Sequence, residues 1–263
     1  MQHSRLNFFF LNIGHLYDHL FVLIFATVAA LSLSQNWGLS YGELIPYATP
    51  GFIAFGVCAL PAGWLADKWS RQGMMVVFFL GIGVSSIVTS FAQTPLQIGA
   101  GLLIIGMFAA IYHPVGLALV VDGRERTGVP LAINGIFGNL GVAVAALLTG
   151  LLIDVMDWRA AFYVPGILSI GTALAYGIFI RSNSNHEARS EYNKTANKSK
   201  SGSSQTEDRK IIIRIFAIMF ISTAIGGVIY QSTTFALPKL FAERLTDIAD
   251  TASEIGFYAF IVF

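Results

Sequence analysis

The chain has 263 residues, of which 55% are hydrophobic and only 12% are charged. A soluble domain of this size carries about twice that share of charged residues, so the composition excludes an ordinary water-soluble protein. The net charge of +1 gives no basis for a nucleic-acid partner. The only cysteine, Cys58, has no partner for a disulfide within the chain.

Long segments of the sequence contain no Asp, Glu, Lys or Arg, and the longest runs from Gln72 to Val121. A helix needs roughly 20 apolar residues to cross a bilayer, so these segments predict an all-α membrane protein. Pro95 divides the longest segment, because proline suits the first turn of a new helix. The expected spans are Asn7–Leu33, Leu44–Ala66, Met74–Phe91, Pro95–Val121, Val129–Ile153, Ala160–Ile180, Ile211–Ala236 and one beginning near Ser253.

The basic residues are distributed unequally between the two sides of this arrangement. If the N-terminus is cytoplasmic, thirteen of the sixteen Lys and Arg residues lie on that side, and only Arg159, Lys239 and Arg244 on the other. Positive charge accumulates on the cytoplasmic side of membrane proteins. We therefore expect a multi-pass protein of the inner (cytoplasmic) membrane with its N-terminus in the cytoplasm.

The first expected helix carries four polar residues, Asn12, His15, Asp18 and His19. At 100° per residue they fall within an arc of about 120° on an otherwise apolar helix. A rise of 1.5 Å per residue places Asp18 about 17 Å from Asn7, near the middle of a ~30 Å hydrocarbon core. Ionisable groups at that depth are costly and mark transport pathways, and imidazole titrates near neutral pH. The pattern predicts a substrate or proton pathway.

Three other interpretations of this face are open. The aspartate and the histidines pair with one another in the core, or the helix begins deeper and leaves His15 near the membrane interface. In the third, His15 and His19 bind a transition metal. Two histidines and one aspartate on one helix are weak support for that, so no metal is predicted. The sequence has no phosphate-binding glycine-rich loop or Walker lysine, and no cofactor is expected.

The segment after the second expected helix resembles the loop signature of the major facilitator superfamily. The residues that match are Gly63, Leu65, Ala66, Asp67, Lys68 and Arg71. Ser70 replaces the usual glycine, and Gln72 and Gly73 replace a basic pair. Asp157-Trp158-Arg159-Ala160-Ala161-Phe162 is similar to the family's entry into the sixth helix. The resemblance covers the whole chain and implies a twelve-helix transporter, of which this is the first half and the start of the second.

Within that loop, Gly63, Asp67, Lys68 and Arg71 are the candidate gating residues. Asp67 directly follows the second expected helix, and Arg71 lies four residues on, close enough to pair with it. Charges at a helix end interact with the partial charge of the helix dipole, so they can favour one packing of the bundle. The alternative is that these charges only anchor a cytoplasmic turn.

The fourth expected helix contains Tyr112-His113-Pro114. Proline inside a helix frees a backbone carbonyl and permits a kink, and His113 adds a titratable group. The element resembles one in transporters related to fosmidomycin-resistance efflux proteins. It extends the candidate substrate and proton pathway to Tyr112 and His113. The alternative is a structural kink with a hydrogen-bonded histidine.

The fifth expected helix offers Asn134 and Asn139, and Asn139 is expected to face the cavity from near mid-span. Its glycines, Gly135, Gly138 and Gly141, are predicted to allow close helix packing. The signature of proton-coupled drug antiporters is missing, because Leu102 occupies the position of their fourth-helix arginine. That difference argues against drug/proton antiport.

We expect three parts along the chain. Residues 1–181 form a six-helix bundle, and residues 182–210, rich in Ser, Asn and Lys, form a flexible cytoplasmic linker. Residues 211–263 begin a second bundle. The last residues, Ile261-Val262-Phe263, are still in an apolar run, which suggests the N-terminal part of a longer protein.

These features predict a secondary active transporter, not an enzyme. It would move a small solute across the cytoplasmic membrane by alternating access, with protons as the expected coupling ion. Two alternatives are a receptor or assembly factor built on the same scaffold, and an inactive fragment of a transporter.

Overall fold

The computed structural model describes residues 2–191 and 209–262, in which every regular element is helical. Short helical turns extend the first helix through Trp37, precede the second from Tyr41, and continue the fourth to Val121. The main helices are α1 Gln2–Val28, α2 Thr49–Lys68, α3 Arg71–Thr89, α4 Pro95–Ala109, α5 Gly128–Val155, α6 Ala160–Glu191, α7 Arg209–Arg244 and α8 Ala252–Val262.

Six helical runs of the described residues are long and apolar enough to cross a bilayer, which confirms the first six expected spans. They are Arg5–Trp37, Tyr41–Lys68, Arg71–Ser90, Pro95–Val121, Gly128–Val155 and Ala160–Ser182. The seventh and eighth expected spans correspond to α7 and α8. Helix α6 continues to Glu191, past the expected boundary at residue 181, since residues 182–191 contain no glycine or proline. Residues 192–208 of the expected linker lie outside the described residues.

The outward face of α2 shows how the bundle meets its surroundings. Ile53, Val57, Leu60 and Trp64 recur at helical spacing, and all four are exposed, Leu60 by 82%. An apolar stripe of this length on a helix requires an apolar environment. The stripe is therefore a surface that lipid or further apolar helices would cover.

Inside the bundle, α3 and α6 are joined by hydrogen bonds. The Ser86 hydroxyl donates to the Phe162 carbonyl at 2.7 Å, and the Ser169 hydroxyl donates to the Phe79 carbonyl at 2.7 Å. A bilayer core offers no water to polar groups, so interhelical bonds of this kind hold membrane helices together.

Contacts between loops agree with helices that alternate in direction. Arg159, before α6, donates from Nη2 to the carbonyl of Ala92, between α3 and α4, at 3.3 Å. Arg124, before α5, places its guanidinium 4.9 Å from the ring centre of Phe8, near the start of α1. The loops before α4 and α6 therefore share one end of the bundle, and the N-terminus lies at the other.

Helices α1 and α5 approach closely where α5 carries glycine. A Cβ atom at Gly141 would lie 2.2 Å from the carbonyl oxygen of Leu16, and one at Gly138 would lie 2.6 Å from Nε2 of His15. At Gly135 a Cβ would meet nothing within 4 Å. The prediction of close packing is thus confirmed for Gly138 and Gly141 and is wrong for Gly135, which lies on another face of the helix.

Helix α8 packs against α5. The carboxylate of Asp154 accepts hydrogen bonds from the backbone N–H groups of Ala252, at 3.1 Å, and Ser253, at 2.7 Å. An acidic side chain at a helix N-terminus stabilises its first turn. The start of the expected second bundle is therefore fixed to the first.

We expect Gly141→Ala to destabilise the bundle by about 1–3 kcal/mol, the usual cost of overpacking. Its added methyl group would overlap the Leu16 carbonyl and push α1 from α5. Thermal unfolding of the detergent-solubilised protein measures the effect. The matched control is Gly135→Ala, which has open space and should cause no loss. Equal losses of Tm in the two variants would contradict the close-packing role of Gly141.

Candidate functional site

The polar face of α1 points into the bundle. Asn12 and His15 are buried, Asp18 is 0% exposed, and His19 is partly buried. The first membrane-spanning run begins at Arg5, which places His15 about 15 Å along the helix. His15 therefore does not lie near the membrane interface. All four predicted residues therefore share one inward face.

The second component of the site is the wide turn that continues α4. Residues Tyr112–Gly116 form a π-helical turn around Pro114, which has no N–H to donate to the helix. Turns of this kind re-aim side chains and recur at functional sites. Here the turn buries Tyr112 completely and leaves the His113 side chain 38% exposed.

Asn134 of α5 connects the two components. Its Nδ2 donates to Oδ1 of Asn12 and to the hydroxyl of Tyr112, both at 2.9 Å. The Tyr112 hydroxyl donates in turn to the Leu11 carbonyl at 2.8 Å. Both amide hydrogens of the buried Asn134 therefore have acceptors, as a polar group in a core requires.

Sequence reasoning chose the other asparagine of α5. The side chain of Asn139 is exposed, whereas Asn134 is 0% exposed. The sequence contained a signal for this difference, because Asn134 shares a helical face with Gly138 and Gly141, four and seven residues further along the helix. That face approaches α1, and Asn139 lies on the face of Gly135.

The ring of His15 is held in one orientation. Its Nδ1 lies 2.8 Å from the backbone oxygen of Asn134, and since a carbonyl only accepts, Nδ1 is the donor. In the neutral ring Nε2 then carries a lone pair. His19 Nε2 lies 3.2 Å from it and donates the hydrogen. The His15 ring also stacks on that of Tyr112, with centroids 4.9 Å apart.

Asp18 is the least satisfied polar group of the site. Its Oδ2 lies 3.2 Å from Nε2 of His113, a distance that fits an ion pair. Neither carboxylate oxygen receives a hydrogen bond from the described residues. The partner of Asp18 is therefore on the fourth helix, and the site does not provide the donors that would fully satisfy an ionised carboxylate.

The histidines converge as well. One ring nitrogen from each of His15, His19 and His113 lies within 4.8 Å of the others. The sequence placed the first two on one face, and the structure brings the third from another helix. The site thus combines three imidazoles with one buried carboxylate, groups that bind protons or cations.

The predicted gating loop lies at the N-terminal end of the bundle. Asp67 belongs to the last turn of α2, which ends at Lys68, and does not follow the helix as expected. Arg71 donates to Oδ1 of Asp67 from Nη2 at 2.8 Å and from Nε at 3.2 Å. Both side chains are exposed, as is Lys68. The expected pairing of Asp67 with Arg71 is present.

Gly63, one turn before Asp67, faces the candidate site. A Cβ atom there would lie 3.3 Å from Cβ of Pro114 in the π-helical turn. The end of α2 and the residue next to His113 are therefore in direct contact.

Comparisons with known proteins agree with this architecture. A model of the Major Facilitator Superfamily matches residues 11–263. The structure of a POT family transporter in complex with a thioalcohol-conjugated peptide superposes with a TM-score of 0.54 at 15% identity, over 87% of this chain and 47% of that one. At that identity the likeness shows the fold alone.

Among curated proteins, the chain is similar to a puromycin resistance protein of Streptomyces alboniger, with 31% identity over 52% of this chain and 28% of the relative. A gallate transporter of Pseudomonas putida is 26% identical over 59% of this chain and 35% of its own length. A probable L-galactonate transporter of Escherichia coli is 29% identical over 59% and 35%. The chain therefore spans about a third of each relative's length.

The family match covers nearly the whole chain, and the six apolar helices and the loop motif fit it. The chain belongs to the Major Facilitator Superfamily and is a multi-pass integral membrane protein.

Proposed function

We propose that the protein is a secondary active transporter that moves a small solute across the cytoplasmic membrane by alternating access, coupled to protons. Its family and the transporters among its relatives support solute transport. Proton coupling rests on one observation, the buried carboxylate of Asp18 beside His113. The link to fosmidomycin-resistance efflux proteins stays a prediction from Tyr112-His113-Pro114.

An ionised carboxylate without water or donors costs several kcal/mol in a protein interior. Asp18 avoids this cost when it binds a proton, or when His113 carries one and forms an ion pair with it. A proton at this pair therefore changes the charge of the site in one step. His113, whose side chain is 38% exposed, connects Asp18 to the surface of the described residues, and His19 and His15 continue the polar path along α1.

The basic residues support a cytoplasmic N-terminus. Arg124 lies at the N-terminal end of the bundle and Arg159 at the other, as alternating helices require. The N-terminal end also carries Lys68 and Arg71, which fits the positive-inside distribution. We assign the N-terminal end to the cytoplasm and place the gating loop there.

Two charges of the gating loop, those of Asp67 and Arg71, oppose the helix dipoles that they touch, whereas Lys68 in the last turn of α2 has the favourable sign. Asp67 places a negative charge at the C-terminal end of α2, and Arg71 places a positive charge at the N-terminal end of α3. Both positions favour the opposite sign. Stability of this one conformation therefore does not account for the arrangement. Gating does, because these charges can then meet other partners in the second conformation.

We expect Asp18→Asn to abolish uphill transport, because the amide keeps the shape of the side chain and cannot exchange a proton. Proteoliposomes would be tested with gallate, L-galactonate and puromycin, the compounds in the names of the relatives. For a solute that is transported, a pH gradient should drive its accumulation in proteoliposomes that contain the unmodified protein. Proteoliposomes with the variant should accumulate no more solute than empty liposomes.

Asp122→Asn is the matched control, since Asp122 is exposed in the loop after the fourth helix. It should accumulate solute normally. The Asp18→Asn protein should still exchange solute down its gradient and keep its Tm, because a neutral group replaces a costly buried charge. Full pH-driven accumulation by Asp18→Asn would remove Asp18 from the coupling, and solute binding without transport would favour the receptor alternative.

A charge swap tests the gating loop. Asp67→Arg combined with Arg71→Asp keeps the pair and places both charges favourably for the helix dipoles. We expect stability to change by less than about 1 kcal/mol, as for exposed pairs, and transport to slow at least about fivefold, the lower end of typical couplings. Thermal unfolding and initial transport rates measure the two effects.

The control for the swap is a second ion pair with the same spacing, partly buried Lys239 and exposed Glu243, 3.2 Å apart on α7. Exchanging these two residues should leave the transport rate unchanged. A normal rate in the swap of Asp67 and Arg71 would indicate that the charges only anchor the turn.

A further inference from the structure

Three histidines from two different helices meet in the bundle. His15 and His19 belong to α1, His113 belongs to the π-helical turn, and one ring nitrogen of each lies within 4.8 Å of the others. Imidazole is a preferred ligand of zinc and its neighbours among the first-row transition metals. We infer that these three histidines bind a divalent transition-metal ion of the zinc class.

Two of the ligand atoms already have suitable spacing. Nε2 of His15 and Nε2 of His19 are 3.2 Å apart. Bonds of about 2.0–2.1 Å in a tetrahedral site place neighbouring ligand nitrogens about 3.3 Å from each other. An ion can therefore replace the hydrogen between these two nitrogens with little movement of the rings. His113 supplies the third ligand that the pair on α1 lacks.

His15 is held as metal-binding histidines usually are. Such histidines donate the second ring N–H to a carbonyl or a carboxylate, which fixes the ring and directs the free lone pair at the metal. Nδ1 of His15 donates to the backbone oxygen of Asn134 at 2.8 Å, and the ring stacks on Tyr112. Its Nε2 is consequently directed at the other histidines.

Asp18 supplies the negative charge that a divalent cation needs in a bundle core. It lies outside the group of three, with Oδ2 3.2 Å from Nε2 of His113. No described residue donates a hydrogen bond to its carboxylate, and a cation beside it would compensate that charge. The half-exposed His113 gives an ion access to the site.

All four residues lie in the first six helices, so the site is contained within this chain. It also stands independently of proton coupling, because metal binding is measured at equilibrium without a membrane gradient. A protein that fails to couple transport to protons would still bind the ion, and the two proposals fail separately.

The test uses the whole chain purified in detergent through a tag without histidine. Titration with Co²⁺ should give the intense visible absorption of a low-symmetry, near-tetrahedral complex, with about one ion per chain. Zn²⁺ should displace it, and calorimetry gives its affinity. We expect His113→Ala and His19→Ala each to weaken Zn²⁺ binding at least tenfold and to remove the cobalt spectrum.

His186→Ala is the matched control, since it removes a histidine that is not one of the three, and it should bind Zn²⁺ normally. Size-exclusion chromatography establishes that each variant is folded, and the cobalt spectrum of the unmodified chain tests the coordination geometry without any variant. An octahedral spectrum, or no binding, would overturn the inference. Unchanged affinity in both His113→Ala and His19→Ala would overturn it as well, because the ion would then lie elsewhere.

Discussion

The close approach of α1 and α5 is the constraint on which the site depends. It exists because Gly141 has no side chain where the backbone of Leu16 passes. At this separation the carbonyl of Asn134 reaches Nδ1 of His15, and the same residue's amide reaches Asn12. A wider spacing would leave these buried groups without partners, at a cost comparable to that of the hydrogen bonds themselves. The hydrogen bonds of the site therefore depend on the close packing of α1 against α5.

The buried polar groups of the site differ in how completely they are hydrogen-bonded. Asn134, Asn12, Tyr112 and His15 form a connected network whose rigidity fixes the site. Asp18 is equally buried but has only the ion-pair contact with His113. A folded protein tolerates such a group where its charge is used. The contrast distinguishes the residues that hold the site from Asp18, the residue that gains or loses a partner in the proposed mechanism.

Sequence periodicity predicted much of this fold, because uncharged segments and tight turns are local features. It also placed four polar residues of α1 on one face, since 100° per residue is a property of any helix. It did not show that His113 joins His15 and His19, because that depends on how α4 crosses α1. It also did not show that Asn134 joins the hydrogen-bond network at α1, because rotation about the helix axis, and not depth along it, decides which asparagine faces α1.

The loop and the polar site are linked through α2. Gly63 and Asp67 are one turn apart on α2, and Gly63 packs against Pro114, the neighbour of His113. Because interiors are close-packed, a shift of this end of α2 toward α4 would press on the π-helical turn, whose wide geometry is the least regular part of that helix. In the proposed transporter, a change of partner at Asp67 and a change of charge at Asp18 would therefore both act on the π-helical turn.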